Sequence, residues 1–272
     1  MAPRENYFYY LLEEVKAMFD GHAPPEKIDC YDEMWFSFNG KPLKWSVPIG
    51  VQFDTMFGLA QKKEQIPWSL TFHYKECPIK ATFSFKSALK AYQYTFINSL
   101  KESQHLRVGD AAEILSHLTQ VDANKMVKDG LFKNNYETFW EINQAHLLRP
   151  IADFKKYAIR VFSNLHHTYV QIDKKIPDKP LASDGTVMSE LDPVFKTWQE
   201  TQLALTVGEV FMEQFPALFG QDLETEVIET TKTEMEVVCQ GVQVHLETPI
   251  YWLQMNMCYP DGFLYVSFHF NK

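Results

Sequence analysis

The 272-residue sequence is poor in the features that announce common chemistries. It has only four cysteines, Cys30, Cys77, Cys239 and Cys258, and none are paired as C-x-x-C. That excludes a zinc ribbon or a recognisable disulfide framework, and a buried, inert role is expected for each thiol. There is no N-x-[ST] sequon and no Gly-rich phosphate loop, G-x-S-x-G elbow or H-E-x-x-H string. There is no run of about 18 apolar residues, so no membrane-spanning helix is expected. Basic charge is short as well: 26 Lys and Arg against 35 Asp and Glu leave a net charge of −9, which argues against nucleic acid as a partner. Met1-Ala2-Pro3-Arg4 opens no charged-then-apolar leader, so a reduced, cytoplasmic home is expected.

Apolar and aromatic residues are plentiful. Hydrophobic residues make up 46% and aromatics 15%, enough for a large core without metal or disulfides. Charge is uneven along the chain. Residues 1–82 are near balance at −2, 83–150 stand at +1 and 151–272 at −8, with eight acids against the single Lys232 over 209–236. That acidic run reads as a solvated loop.

Hydrophobic spacing divides the chain into three parts. In 1–82, Leu11, Val15 and Met18 mark one face of a helix that Gly21 and Pro24-Pro25 end. Met34 to Phe38 and Leu43 to Val47 read as strands around Asn39-Gly40, the strongest short hairpin signal. A helix over Val51 to Leu59 and a strand over Trp68 to Tyr74 follow. Hairpin, helix, strand is the opening order of a β-grasp, or ubiquitin-like, module.

Residues 83–150 read as a helix-rich block. Leu89, Tyr92, Phe96 and Leu100 share a face of one long helix from Ser84 to Leu106, Asp110 to Glu113 forms a capping-box pattern, and Asn135 opens another helix. In 151–272, strands over 158–162 and 168–172 form a hairpin, and Thr206 to Glu209 is a second capping box. Strands at 235–239 and 242–244, a short helix after Thr248-Pro249 and a closing strand from Phe263 to Phe270 complete a second β-grasp order. Residues 173–204 are an insertion, with Val187, Leu191, Val194 and Trp198 expected along an extra helix. The expected fold is therefore α+β, with two ubiquitin-like modules at 1–82 and 151–272 flanking the block at 83–150.

No catalytic set emerges. His166-His167 is the only histidine pair, and neighbours in a strand point to opposite faces, so neither a shared metal nor a cofactor is expected. A ubiquitin-like pair without catalytic residues reads as a binding scaffold rather than an enzyme.

Particular strings go further. Trp35 to Trp45 with Pro48-Ile49-Gly50 and Phe53-Asp54, then Phe139-Trp140-Glu141-Ile142-Asn143, then Leu246-Glu247-Thr248-Pro249, Trp252-Leu253 and Tyr259 to Leu264 resemble, in order, the autophagy-related protein 5 family. The resemblance implies an acceptor for a ubiquitin-like modifier, autophagy-related protein 12, transferred by E1-like and E2-like enzymes to one lysine. The family string Phe-x-x-x-hydrophobic-Lys-Glu is here Phe96 to Glu102, which points to Lys101. It further implies an E3-like conjugate that promotes joining of a second ubiquitin-like protein to phosphatidylethanolamine. That conjugate is recruited peripherally to the preautophagosomal membrane by a coiled-coil partner, autophagy-related protein 16. Family members begin with a short helix carrying a Trp-x-Gly-x-Ile-Pro-like string, and here Met1 lies where the first module starts, so that helix is expected to be absent. On the helix drawn from spacing, Phe96 and Leu100 face the core and Lys101 lies about 100° round from Leu100, on a partly exposed flank. The alternative is a non-conjugated protein that binds the modifier without a covalent bond.

Overall fold

In the computed structural model, residues 2–22, 31–59, 65–78, 87–109, 116–148, 154–164, 166–172, 174–215 and 235–270 are described. The capping pattern at 110–113, Cys30 and most of the acidic run, 216–234, lie outside them. Among the described residues no helix is long and apolar enough to cross a membrane.

The chain opens with α1 (Tyr9–Phe19). Its fully buried residues are Tyr9, Leu12 and Lys16; of the face expected from spacing, Leu11 and Val15 pack half-buried against the core and Met18 is 64% exposed. The Lys16 side chain is buried, with its ammonium 3.1 Å from Asp20. Strands β1 (Trp35–Phe38) and β2 (Lys41–Pro42) form the expected hairpin around Asn39 and Gly40, whose φ values of 48° and 73° are those of a tight primed turn. The returning strand is much shorter than the 43–47 expected. After Leu43 the backbone of Lys44 leaves the ladder, and its N–H and C=O pair instead with the Gln52 side-chain amide, both at 2.8 Å. Then come α2 (Ile49–Phe57) and β3 (Thr71–His73), which runs antiparallel to β1 on the side opposite β2.

The block contains α3 (Ala88–Val108), α4 (Gln120–Asn124), a π-helical turn over Lys125–Leu131 and α5 (Tyr136–His146). Ser87 caps α3 and Asn135 caps α5. Gly109, at φ 87°, ends α3. Leu12, Phe36, Tyr92, Phe96, Leu100, Val127 and Phe139 belong to one continuous core, so the first module and the block share their interior.

The second module holds β4 (Ile159–Ser163), β5 (His166–Ile172), α6 (Pro193–Ala204), α7 (Val207–Gln214), β6 (Met235–Cys239), β7 (Val242–Gln243), α8 (Ile250–Asn256) and β8 (Leu264–Phe270). Its five strands lie in the order β5-β4-β8-β6-β7, with the central β4 and β8 parallel and every other pair antiparallel. That is the complete mixed sheet of a β-grasp, so the two-module expectation holds. α7 starts at the Thr206–Glu209 capping box, with Glu209 N–H donating to Thr206 Oγ1 at 3.2 Å. In the insertion, α6 begins only after the Asp192 cap, so Val187 and Leu191 precede it and are exposed, while Phe195 is buried and Trp198 packs on the module core.

The duplication sits elsewhere than the element order suggested. The β1–β2 hairpin matches β6–β7, not β4–β5. Leu43 N–H donates to Phe36 O at 2.9 Å and Val244 N–H to Val237 O at 2.8 Å. Gln240 and Gly241 repeat the positive φ values of Asn39 and Gly40, at 51° and 80°. Pro48-Ile49 and Pro249-Ile250 stand at the same offset, each proline at the N-cap of the next helix. Ile49 N–H donates to Asn6 O at 2.8 Å and Ile250 N–H to Leu205 O at 2.9 Å, which makes α1 the counterpart of α7.

A Cβ added at Gly40 would meet nothing within 4 Å, so only the positive φ resists substitution there. Gly40→Ala is expected to cost about 1–2 kcal/mol. Gly21→Ala, equally open and without that φ, should stay within about 0.5 kcal/mol. Urea midpoints of the two variants check this.

Candidate functional site

Lys101 lies past the midpoint of α3, on its solvent face, with Phe96 and Leu100 buried against the core. A partly exposed flank is expected for it, and on α3 the residue is exposed. The helix takes this rotation because Ala88, Ala91, Tyr92, Phe96 and Leu100 form its apolar stripe. Ala88 is buried in place of the expected Leu89, which is half-buried.

Beside that stripe runs a second buried row, Ser99, Ser103 and Arg107, which is polar and meets the second module. Ser99 donates its hydroxyl to Asp261 Oδ2 at 2.6 Å. Ser103 donates to the Asp261 carbonyl. Asp261, 2% exposed, also accepts from Tyr265 OH at 2.7 Å, from Phe263 N–H at 3.1 Å and, more weakly, from Tyr7 OH at 3.4 Å. One carboxylate therefore joins the chain's first residues, α3 and the second module. Burial first, and the Asp261 charge next, push the hydroxyls of Tyr7 and Tyr265 well above the usual tyrosine range, so both stay protonated donors.

Arg160, on β4, completes the cluster. Its guanidinium lies 3.7 Å over the Phe263 ring and 4.9 Å over the Tyr169 ring. It donates to Ser99 Oγ and Tyr265 OH at 3.2 Å each, and to Glu102 Oε2 at 2.5 Å. Burial opposes its charge, but Tyr265, Tyr169, Asp261 and Glu102 outweigh that, and the guanidinium is held above its usual value. Glu102 is the residue next to Lys101.

Local spacing does not reveal this cluster as a site. Two signals exist. Ser99 and Ser103, four apart, put hydroxyls on a helix at the spacing of a single face, and Arg160 stands within a run of buried apolar residues on its strand. Of the other residues singled out from the sequence, His166 and His167 occupy successive positions at the start of β5. Cys239 and Cys258 are free thiols; burial pushes both up, Cys258 to about 12. Among the described residues no group of three or more His, Cys, Asp and Glu is placed to hold a metal ion.

Comparison with known proteins covers nearly the whole chain. The family models described as Autophagy protein ATG5, UblA domain, alpha-helical bundle region and UblB domain match residues 1–74, 89–149 and 159–268. Autophagy protein 5 of Drosophila melanogaster is 25% identical over 272 residues, covering 98% of this chain and 84% of that protein. The Aspergillus oryzae protein of the same name is 28% identical over 298 residues, covering 97% and 85%. The crystal structure of Kluyveromyces marxianus Atg5 shares the fold with a TM-score of 0.68 at 18% identity, over 97% of this chain and 84% of that one.

Two outcomes are expected. Asp261→Ala leaves Ser99, Tyr265 and the Phe263 N–H without their buried acceptor and should cost about 3 kcal/mol, read as a lowered urea midpoint. The Cys258 thiol, about 12 folded against about 8.5 unfolded, contributes stability that is intact below about pH 8.5 and lost as pH rises toward 12. Native protein at pH 8 should leave Cys239 and Cys258 unlabelled by iodoacetamide, with urea-unfolded protein as the positive control.

Proposed function

This chain belongs to the autophagy protein 5 family and so has a role in autophagy, and from that premise we propose that it is a conjugation scaffold whose acceptor is Lys101. The modifier is the ubiquitin-like autophagy-related protein 12, delivered as the thioester of an E2-like enzyme. The observation that carries this reading is the placement of Lys101, in the string Phe96 to Glu102, on the open face of a helix whose other faces are buried.

The reaction asks little of the acceptor. A free lysine amine, with its pKa of about 10.4, must lose a proton to attack. The neutral Nζ of Lys101 then adds to the thioester carbonyl carbon. The C–N bond forms, the C–S bond breaks, the second amine proton passes to solvent, and the enzyme's cysteine leaves as thiolate. The conjugating enzyme can supply the base, so this chain need only present the amine. It acts without a catalytic set of its own. The conjugate then promotes, in E3-like fashion, the joining of a second ubiquitin-like protein to phosphatidylethanolamine.

Localisation follows from partners rather than bulk charge. Anionic lipid favours basic surfaces by about 1 kcal/mol per Lys or Arg, and this chain stands at −9. A cytoplasmic chain brought peripherally to the forming membrane by the coiled-coil autophagy-related protein 16 fits that balance. The isolated chain should not co-sediment with anionic liposomes at physiological salt; strong binding would count against delivery by partners.

The deciding experiment is reconstituted conjugation with modifier, E1 and E2, read by intact mass. Wild type should gain the modifier less one water, and Lys101→Arg, equally folded by circular dichroism, should gain nothing. A conjugate that persists in Lys101→Arg refutes the assignment. Modifier binding without any mass gain in wild type would support instead a non-covalent interaction protein.

A further inference from the structure

The face of α3 turned away from Lys101 is tied to the second module, where Ser99 and Ser103 bond to Asp261. On one flank of Lys101, Glu102 pairs with Arg160. On the remaining flank Leu100 is locked in the core. We propose that Arg160 and Glu102, linked to Asp261 through Ser99 and Tyr265, are positioning residues: they fix the rotation of α3 about its axis and so the direction in which Lys101 leaves it. The proposal rests on the reading of Lys101 as acceptor.

This arrangement suits that task better than packing alone. Leu100 and Phe96 hold α3 to the core but, as apolar contacts, are non-directional. The Arg160 guanidinium is planar and lies against the Phe263 and Tyr169 rings, so its N–H groups point in set directions. Its side chain is 8% exposed, whereas that of Glu102 is 44% exposed. The pair therefore runs from a rigid interior out to the helix surface, ending on the residue next to the acceptor. Glu102 meets solvent at one end of the pair, and Arg160 keeps Ser99, Tyr265 and the rings without it, so Glu102 adds direction to the helix more than it adds burial. Group transfer is far more sensitive to placement: a displacement of about 1 Å can cost about a hundredfold in rate.

The test is single-turnover discharge of a preformed E2-modifier thioester by the full chain, varied in concentration, well below the melting temperature of every variant. Glu102→Ala should lower the discharge rate at saturation about tenfold while the half-saturating concentration stays within about twofold. Glu102→Gln, which keeps an oxygen for Arg160, should retain more than half the wild-type rate. Arg160→Ala should reproduce the loss although its side chain is too buried to touch the enzyme, and the double variant should be no worse than either single one. Should Arg160→Ala not fold, the two Glu102 variants decide alone. The proposal is overturned if Glu102→Ala discharges at the wild-type rate, or if it raises the half-saturating concentration with the saturated rate unchanged, the sign of direct contact with the enzyme. In both cases Lys101→Arg still yields no conjugate. Conjugation that survives Lys101→Arg, or wild type that never conjugates, removes the acceptor reading instead, and this inference with it.

Discussion

The carboxylate of Asp261 is where the three parts of the chain meet. It takes hydrogen bonds from Tyr7, from Ser99 on the long helix and from Tyr265 on the closing strand. A buried carboxylate is costly unless its oxygens are satisfied. That cost acts as a constraint on the assembly: no one part can move from the others without leaving an anion or its donors unpaired. Arg160 extends the constraint outward through Ser99 and Tyr265 to Glu102.

The second sheet is consequently covered on both faces. Ile159, Val161, Leu264, Val266 and Phe268 pack with α7 and α8 on one side. On the other, Phe162 and Tyr265 meet Val47 and Val51 of the first module, Ser267 shares a hydrogen bond with Thr55 at 2.9 Å, and His269 Nδ1 donates to the Thr55 carbonyl at 3.3 Å. An antiparallel or mixed sheet often leaves one face to solvent and to partners. Here that face is spent within the chain. Partner contacts are left to helices, edges and the exposed rim of α3.

Much of this fold could be read along the chain. Asn39-Gly40, the Thr206–Glu209 cap and the 3.6-residue stripe through Tyr92, Phe96 and Leu100 are local signals, and each produced the element it implies. The failures have local causes as well. Spacing could not see that Gln52 would take the Lys44 backbone and cut β2 short, nor that Lys16 would be buried on α1 while Met18 is exposed. Element order suggested that the first hairpin opens a β-grasp. Strand pairing makes it the counterpart of β6 and β7, because antiparallel partnership depends on residues far apart in sequence.

By itself the sequence determined the element types, the two-module class, the family strings and Lys101 as the acceptor candidate. These follow from residue periodicity and from short contiguous motifs, which no later contact can alter. Only the tertiary structure decided that first module and block share one core, and that Ser99, Arg160 and Asp261 gather under α3 with Glu102, the neighbour of Lys101, joined to them. The physical reason is distance along the chain. The bonds that join the three parts here link residues 61, 162 and 254 positions apart, and nothing in local spacing reports which of many acids, hydroxyls and guanidinium groups will be folded against one another.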